Sequence, residues 1–350
     1  MHIIKNYSLP EMEEYFHSRG LERYRARQLF IWLYSRNAER FDEITTFSKK
    51  LRQELSDSFV LSPLTLEERR VSQVDRCEKF LFKTGDGHYI ESVLLKNEYE
   101  DDGRLTICLS SQVGCQMGCT FCQTARIGFK RNLEPGEILD QISQIRRITG
   151  LVNNNIVFMG MGEPFMNYNN VIKAAQIMNY DFGFHISVRK ITISTCGILP
   201  RIRQYIDEGH LFNLAFSLND TDPDKRRRYM PVEKKYPAGE ILRLFSQKMP
   251  KTHNYLTVEY VMRHDNISVE NARRLKELFG GARVKINVIP LHPGAHSLDA
   301  PDQGAVDRFL SRLEQLDIPV TVRRSLATDI NGACGQLSGK KYSSVPESCA

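Results

Sequence analysis

Residues 105–122 read LTICLSSQVGCQMGCTFC, and this stretch decides how the rest of the chain is read. Leu105–Ser110 reads as a β-strand, and the cysteines that follow it fall in a loop. Cys115, Cys119 and Cys122 stand close enough in sequence to hold an iron–sulfur cluster through their thiolates. A cube of four irons held by three cysteines keeps one iron open for chemistry. The competing reading adds Cys108 and makes a closed, structural four-thiolate zinc site. Zinc ribbons gather their cysteines as two separated pairs. The uneven spacing here, with Phe121 inside it, fits that pattern poorly.

The strand-then-loop pattern repeats downstream. Strands are expected at Asn155–Gly160, Arg189–Ser194, Leu211–Ser217, Tyr255–Met262, Arg283–Ile289 and Pro319–Arg323. Helices are expected among them at Glu137–Thr149, Val171–Met178, Val269–Phe279 and Val306–Leu316, the first with Ile138, Leu139, Ile142, Ile145 and Ile148 on one face and Gly150 at its end. Serial βα units imply a parallel sheet, doubly wound or curved into a barrel or part-barrel. The distinctive polar groups all follow strands: Gly160-Met161-Gly162-Glu163-Pro164, Ser194, Ser217-Leu218-Asn219 and His292. The C-terminal ends of strands are where barrel and open-sheet enzymes bind ligands, so one shared site is expected.

Upstream the period changes. Residues 1–60 read as a helical accessory domain, with Tyr24–Tyr34 and Ile44–Phe59 as its clearest segments. Residues 61–103 form an extension in which Cys77–Lys83 and His88–Lys96 make a β-hairpin around Thr84-Gly85-Asp86-Gly87, closed by the acidic Glu98–Asp102. The core is expected over 104–325, with a polar C-terminal segment over 326–350.

Composition bounds the rest. Hydrophobic residues are 41% of the 350, enough for a real core. No run approaches the roughly 18 apolar residues of a membrane span. The early charges of MHIIKNYSLPEMEE read against a secretory signal, and eight cysteines without one imply a reducing, cytoplasmic setting. The net charge of +6 permits a polyanionic partner. Basic clusters fall at Arg23, Arg25 and Arg27, at Lys130-Arg131 and at Arg226 to Arg228; any one reads as a solvated charged face, together they favour RNA, and Lys130, Arg131 and the N-terminal arginines are the candidate phosphate contacts.

The run Cys115-x-x-x-Cys119-x-Phe121-Cys122 resembles the cysteine motif of the radical S-adenosylmethionine (SAM) superfamily. Gly160–Pro164 resembles its partner motif, which meets the methionine end of the cofactor. A dinucleotide fingerprint is rejected for that second run, because Phe165 stands where a third glycine is needed. TICLSSQVGCQMGCTFCQTARIGFKRNL, VFMGMGEPFMN, ITISTCGI, MPVEKKYP and DINGACGQL occur in that order. Together they resemble the adenine-carbon-2 RNA methyltransferases, the RlmN family, whose sibling Cfr acts at carbon 8. The stretch TARIGFKRNL is closer to the carbon-2 pattern.

The resemblance implies an α/β fold: a partial TIM-type βα barrel of the radical SAM kind, with the N-terminal helical accessory domain and the β-hairpin extension appended. It implies a [4Fe–4S] cluster on Cys115, Cys119 and Cys122 and two molecules of S-adenosyl-L-methionine per turnover. Carbon 2 of adenine lies between two ring nitrogens and is too electron-poor to attack a methyl sulfonium, which is why radical chemistry is needed. Cys334 would carry the methyl group as an S-methylcysteine intermediate. Cys108 would release the product by forming a disulfide bond with Cys334, and Glu91 would accept the carbon-2 proton. On an alternating strand Tyr89, Glu91, Val93 and Leu95 share a face, so Glu91 is expected to project into a largely apolar surface. Cys77, Cys196 and Cys349 match no functional position.

The implied cofactor pocket comprises Gly162, Glu163, Ser194, Ser217, Leu218, Asn219 and His292. Two positions depart from the family pattern, which has histidine at 219 and asparagine at 292; both residue types donate and accept hydrogen bonds. The implied partners are large-subunit (23S) ribosomal RNA and also tRNA, with a low-potential electron donor such as flavodoxin or ferredoxin, acting on a monomer. The alternatives are carbon-8 methylation, a radical SAM paralogue with another substrate, and a zinc-stabilised RNA-binding protein.

Overall fold

The computed structural model describes residues 2–96, 105–248, 256–279, 283–291, 300–323 and 325–340. The expectations at Glu98–Asp102, His292 and Cys349 lie outside the described residues.

One ten-stranded sheet dominates, and its spatial order is the order of the chain. β1 (Leu64–Val71), β2 (Glu78–Thr84) and β3 (Tyr89–Lys96) pair antiparallel. β4 (Leu105–Cys108) pairs antiparallel with β3 and parallel with β5 (Asn155–Phe158). β6 (Ile191–Thr195), β7 (Asn213–Ser217), β8 (Leu256–Met262), β9 (Val284–Pro290) and β10 (Val320–Val322) then add in parallel. Crossovers of one hand between successive neighbours keep the helices on one face. The sheet curls away from them, because Thr106 on β4 and Thr321 on β10 line the same cavity of about 610 Å³. This is a part-barrel rather than a doubly wound sheet. Among the described residues β10 and β1 do not pair with each other, so the barrel stays open.

The expected hairpin is present, and its turn closes where Thr84 N donates to His88 O at 2.8 Å. It is not a free appendage, because the extension supplies three strands and continues the barrel sheet. β1 was hidden in the sequence by the charged run Glu67-Glu68-Arg69-Arg70, which masks its alternation.

Helix boundaries follow their caps. α1 (Leu9–Ser18) starts with a capping box in which Glu11 Oε2 accepts from Ser8 N at 2.7 Å. α2 (Tyr24–Phe30) runs into a wider turn over Ile31–Ser35, and α3 (Lys49–Ser58) begins at Ser48, whose Oγ accepts from Leu51 N. After the short α4 (Gln123–Ile127) comes α5 (Pro135–Thr149), with proline at its first position and Gly150 left-handed at its end. α5 buries Ile138, Leu139, Ile142 and Ile145 as expected, while Ile148 is only partly buried. Its buried Asp140 accepts from Lys5 Nζ at 2.6 Å, and both side chains are fully buried. That ion pair pins the N-terminal domain to the barrel.

Candidate active site

The site begins where two loops touch. After β5, Gly160 N donates to Leu109 O at 3.0 Å, and Met161 O accepts from Ser111 N and Gln112 N in the loop after β4. A Cβ on Gly160 would stand 2.7 Å from the Leu109 carbonyl oxygen. Gly162 has φ +104°, and its Cβ would fall 2.6 Å from Gln112 Cβ. Only glycine admits that approach, which joins the glycine motif to the cysteine loop.

Beside this junction lies a cavity of about 450 Å³, within the usual size for a cofactor site. Cys115, Cys119 and Cys122 are in its wall, and so are Gly162, Glu163, Ser194, Ser217 and Asn219 from the strand ends. Leu218 is not; its side chain is fully buried in the core. The Glu163 carboxylate accepts from Phe165 N at 3.0 Å and Cys196 N at 2.8 Å, while burial pushes its proton affinity up. Asn219 sits at φ +59°, a conformation asparagine tolerates. Its Oδ1 accepts from Val261 N at 3.0 Å, which leaves Nδ2 beside Met230 Sδ.

The donor set fits the cluster the cysteine spacing implies. Three thiols share one cavity wall with strand-end polar groups, and Cys108 is not among them. Among the described residues no three metal-ligating side chains gather around a single-ion position. A cubane does not require one, since each cysteine binds a different iron. A four-thiolate zinc site requires all four to converge. As free thiols, Cys115 is pushed up to about 12 and Cys119 higher still, chiefly by burial, so ligation must release their protons.

Cys334 reaches the same wall through the C-terminal segment. Ala327 N donates to Asp75 Oδ2 at 2.6 Å, Gln123 N donates to Gly335 O at 2.7 Å, and Thr124 Oγ1 donates to Leu337 O at 2.8 Å. The segment is thereby fastened to both the extension and α4. Cys334 is exposed, and a small adjoining cavity of about 40 Å³ is shared by Cys334, Cys108 and Arg323. The disulfide bond named in the sequence reading is not formed: every cysteine among the described residues is a free thiol. Burial pushes the Cys108 thiol up to about 12, with Cys334 adding to the rise and Arg323 opposing it.

Glu91 lies one layer behind the cavity. It shares a sheet face with Cys108 and Lys79, because Val93 pairs with Cys108 on one side and with Lys79 on the other. The surface around it is not simply apolar. Its Oε2 accepts from Ser338 N at 2.6 Å and Gly339 N at 2.9 Å, and Lys79 Nζ stands 3.0 Å from its Oε1. Ser338 is in the cavity wall and covers Glu91 from that side.

Two arginines of the basic clusters, one of them the candidate phosphate contact Arg131, are structural instead. Arg226 is fully buried, pairs with Glu233, and donates to the carbonyls of Leu218, Cys196 and Ser217. It fixes the loops after β6 and β7. Arg131 clamps Asp86 and Glu137, with two hydrogen bonds to each. Sequence reasoning also missed two residues of the wall, Arg323 and Glu259. Glu259 is buried with Oε2 unpartnered, Asn287 donating to Oε1 at 3.1 Å, and burial pushes it up. The signal for it was a lone carboxylate in the apolar strand LTVEYVM.

Comparison with known proteins agrees with this geometry. The Radical SAM superfamily matches residues 109–295, and the ribosomal RNA large subunit methyltransferase N-terminal domain matches residues 4–61. The dual-specificity RNA methyltransferase RlmN of Geotalea uraniireducens (strain Rf4) is 40% identical over 347 residues, covering 98% of each chain. That of Geobacter sulfurreducens (strain ATCC 51573 / DSM 12127 / PCA) is 42% identical over 340 residues, covering 96% of this chain and 92% of the relative. The crystal structure of a radical SAM methyltransferase from Sphaerobacter thermophilus superposes with a TM-score of 0.91 at 36% identity, covering 97% of this chain and 100% of that one. The chain therefore belongs to the radical SAM superfamily and, within it, to the RlmN family of RNA methyltransferases.

Proposed function

We propose that this protein methylates carbon 2 of an adenine in large-subunit ribosomal RNA and in tRNA through a methyl group carried on Cys334. The observation that carries the reading is the placement of Cys334 in the same wall as Cys115, Cys119 and Cys122, with Cys108 in the adjoining cavity. Carbon-8 methylation is not favoured, because the relatives named above are RlmN enzymes. When bound, the [4Fe–4S] cluster and two molecules of SAM per turnover would supply the methyl group and the 5′-deoxyadenosyl radical that activates it, and the cluster would take back the one electron that the adduct radical must lose.

The remaining work belongs to the chain. Gly162, Glu163, Ser194, Ser217 and Asn219 shape the pocket in which the cofactor is held. Cys334 presents the methyl carbon to the base and stays joined to it once the carbon–carbon bond forms. Glu91 takes the carbon-2 proton. Cys108, as thiolate, then attacks the Cys334 sulfur. The methyl carbon leaves with the electrons of the carbon–sulfur bond and takes up a proton from solvent to complete the product methyl group, and a transient Cys108–Cys334 disulfide forms, which a cellular thiol reductant reopens. Arg323, half-buried and lining the same small cavity as both sulfurs, favours the thiolate that attacks.

The target adenine must leave its stack to enter the cavity. Exposed Lys130 and the helical domain over residues 1–60 are the surfaces offered to phosphates. A cytoplasmic monomer fed by flavodoxin or ferredoxin completes the reading. No helix among the described residues is long and apolar enough to cross a membrane. The test is anaerobic reconstitution with methyl-labelled cofactor and total RNA, followed by nucleoside analysis. Label in 2-methyladenosine, lost in Cys334→Ala, supports the reading. Label only in 8-methyladenosine, or activity that survives Cys334→Ala, overturns it.

A further inference from the structure

Lys79 is a buried ammonium that the reaction scheme above does not use. It lies on β2, 3% exposed, on the same face as Glu91. Its Nζ stands 3.0 Å from Glu91 Oε1 and donates to the Asn331 carbonyl at 3.2 Å, in the segment that carries Cys334. The two carboxylate oxygens of Glu91 are therefore unlike. Oε2 is occupied by the amides of Ser338 and Gly339. Oε1 has the ammonium beside it as a countercharge but receives no aligned hydrogen bond, so its lone pairs remain available. A carboxylate buried to this depth without a countercharge would favour its neutral form, which cannot accept a proton.

We propose that Lys79 is a positioning residue for RNA methylation, holding Glu91 ionised with Oε1 as the oxygen that takes the carbon-2 proton. The inference rests on the reading of Glu91 as the proton acceptor. In that step the carbon-2 C–H bond breaks heterolytically. The proton goes to Glu91 Oε1 and the electron pair stays with the purine ring; the single electron left over from radical addition would return to the iron–sulfur cluster, so no external oxidant is consumed. The second bond of Lys79, to Asn331 O, ties the orientation of the proton acceptor to the segment that presents the methyl carbon.

The test uses the reconstituted holoenzyme with RNA in single turnover. Covalent protein–RNA adduct is read on denaturing gels, and released 2-methyladenosine by nucleoside analysis. Lys79→Met removes the charge, while Lys79→Gln removes it but keeps a donor for Asn331 O. Lys79→Arg keeps the charge. The neutral variants are expected to form adduct at a near wild-type rate and to release product about 10–100-fold more slowly. The deficit relative to the wild type should shrink as pH rises, and Lys79→Arg should restore most of the release. Wild-type release in either neutral variant overturns the inference. So does loss of the adduct itself in both, which would mark Lys79 as a purely structural strut. Glu91→Gln is the control: if it releases product at the wild-type rate, the reading of Glu91 fails and takes this inference with it. Wild-type enzyme that makes no 2-methyladenosine would instead refute the proposed function.

Discussion

The amide of Gln123 donates to the carbonyl of Gly335 at 2.7 Å, so one hydrogen bond joins the residue after Cys122 to the residue after Cys334. The cluster loop and the methyl-carrying segment are distant in sequence, and this bond sets their spacing directly. Gln123 is the first residue of α4, where proline is tolerated, and Cys122 before it is already extended at φ −107°, ψ 122°. Gln123→Pro thus deletes the bond, a loss of about 1 kcal/mol, with Gln123→Ala, which keeps the amide, as the control for the side chain that also lines the cavity. Iron content and the visible spectrum should be unchanged, while RNA methylation falls about tenfold because Cys334 is no longer held in reach. A drop in iron content parallel to activity would show that the bond serves the cluster loop instead.

The product-release step should carry a pH signature. Burial raises Cys108 to about 12, so at neutral pH only a small fraction is thiolate. Because the thiolate is the attacking form, release should speed up about tenfold per pH unit below that value, until another step limits. Arg323 opposes the rise, so Arg323→Met should slow release at every pH and steepen adduct accumulation near neutrality. Single-turnover release measured from about pH 7 to 9 checks this. A flat profile would remove Cys108 from the rate-limiting step.

Much of this site was legible in the sequence because strand ends converge. Ser194, Ser217, Asn219 and the glycine motif each follow a parallel strand, and the barrel brings them into one wall. The helix Val269–Phe279 was legible to the residue, since Ser268 caps it and Asn271 N bonds to the Ser268 hydroxyl. What failed was the reading of charge. Arg226 and Arg131 look alike in a basic run, yet both are consumed by carboxylates that only the fold places beside them. Leu218 sits between two wall residues, but the chain turns just after the strand, with Asn219 at φ +59°, and the Leu218 side chain is in the core. Lys79 was silent because its partner, Glu91, is across a strand pair rather than nearby in the helix or loop sense.

Neighbouring basic residues should separate in their effects. Lys130 is exposed, whereas Arg131 is committed to Asp86 and Glu137. Lys130→Ala should weaken RNA binding and reduce the salt slope by about one phosphate contact. Arg131→Ala should leave RNA affinity nearly unchanged but destabilise the fold by about 1–3 kcal/mol, because Glu137 is buried and loses its charged donor. Binding titrations at two salt concentrations, with thermal denaturation of each variant, distinguish the two roles. An equal loss of affinity would return Arg131 to the RNA surface.

The N-terminal domain should prove inseparable from the barrel. Lys5 Nζ and Asp140 Oδ1 form an ion pair with no solvent access, and Asp140 also accepts from Leu64 N at the start of β1. Removing one partner leaves the other charge buried and unpaired, which costs about 3–5 kcal/mol. Lys5→Met alone should therefore lower Tm sharply. Pairing it with Asp140→Leu should recover much of the loss, since an apolar pair of similar volume needs no countercharge. A chain beginning at Leu61 would expose the same carboxylate and the face of α5 that covers it, so it should not accumulate as folded protein. If that truncation folds with a Tm near that of the full chain, the ion pair is incidental and residues 1–60 are a detachable module.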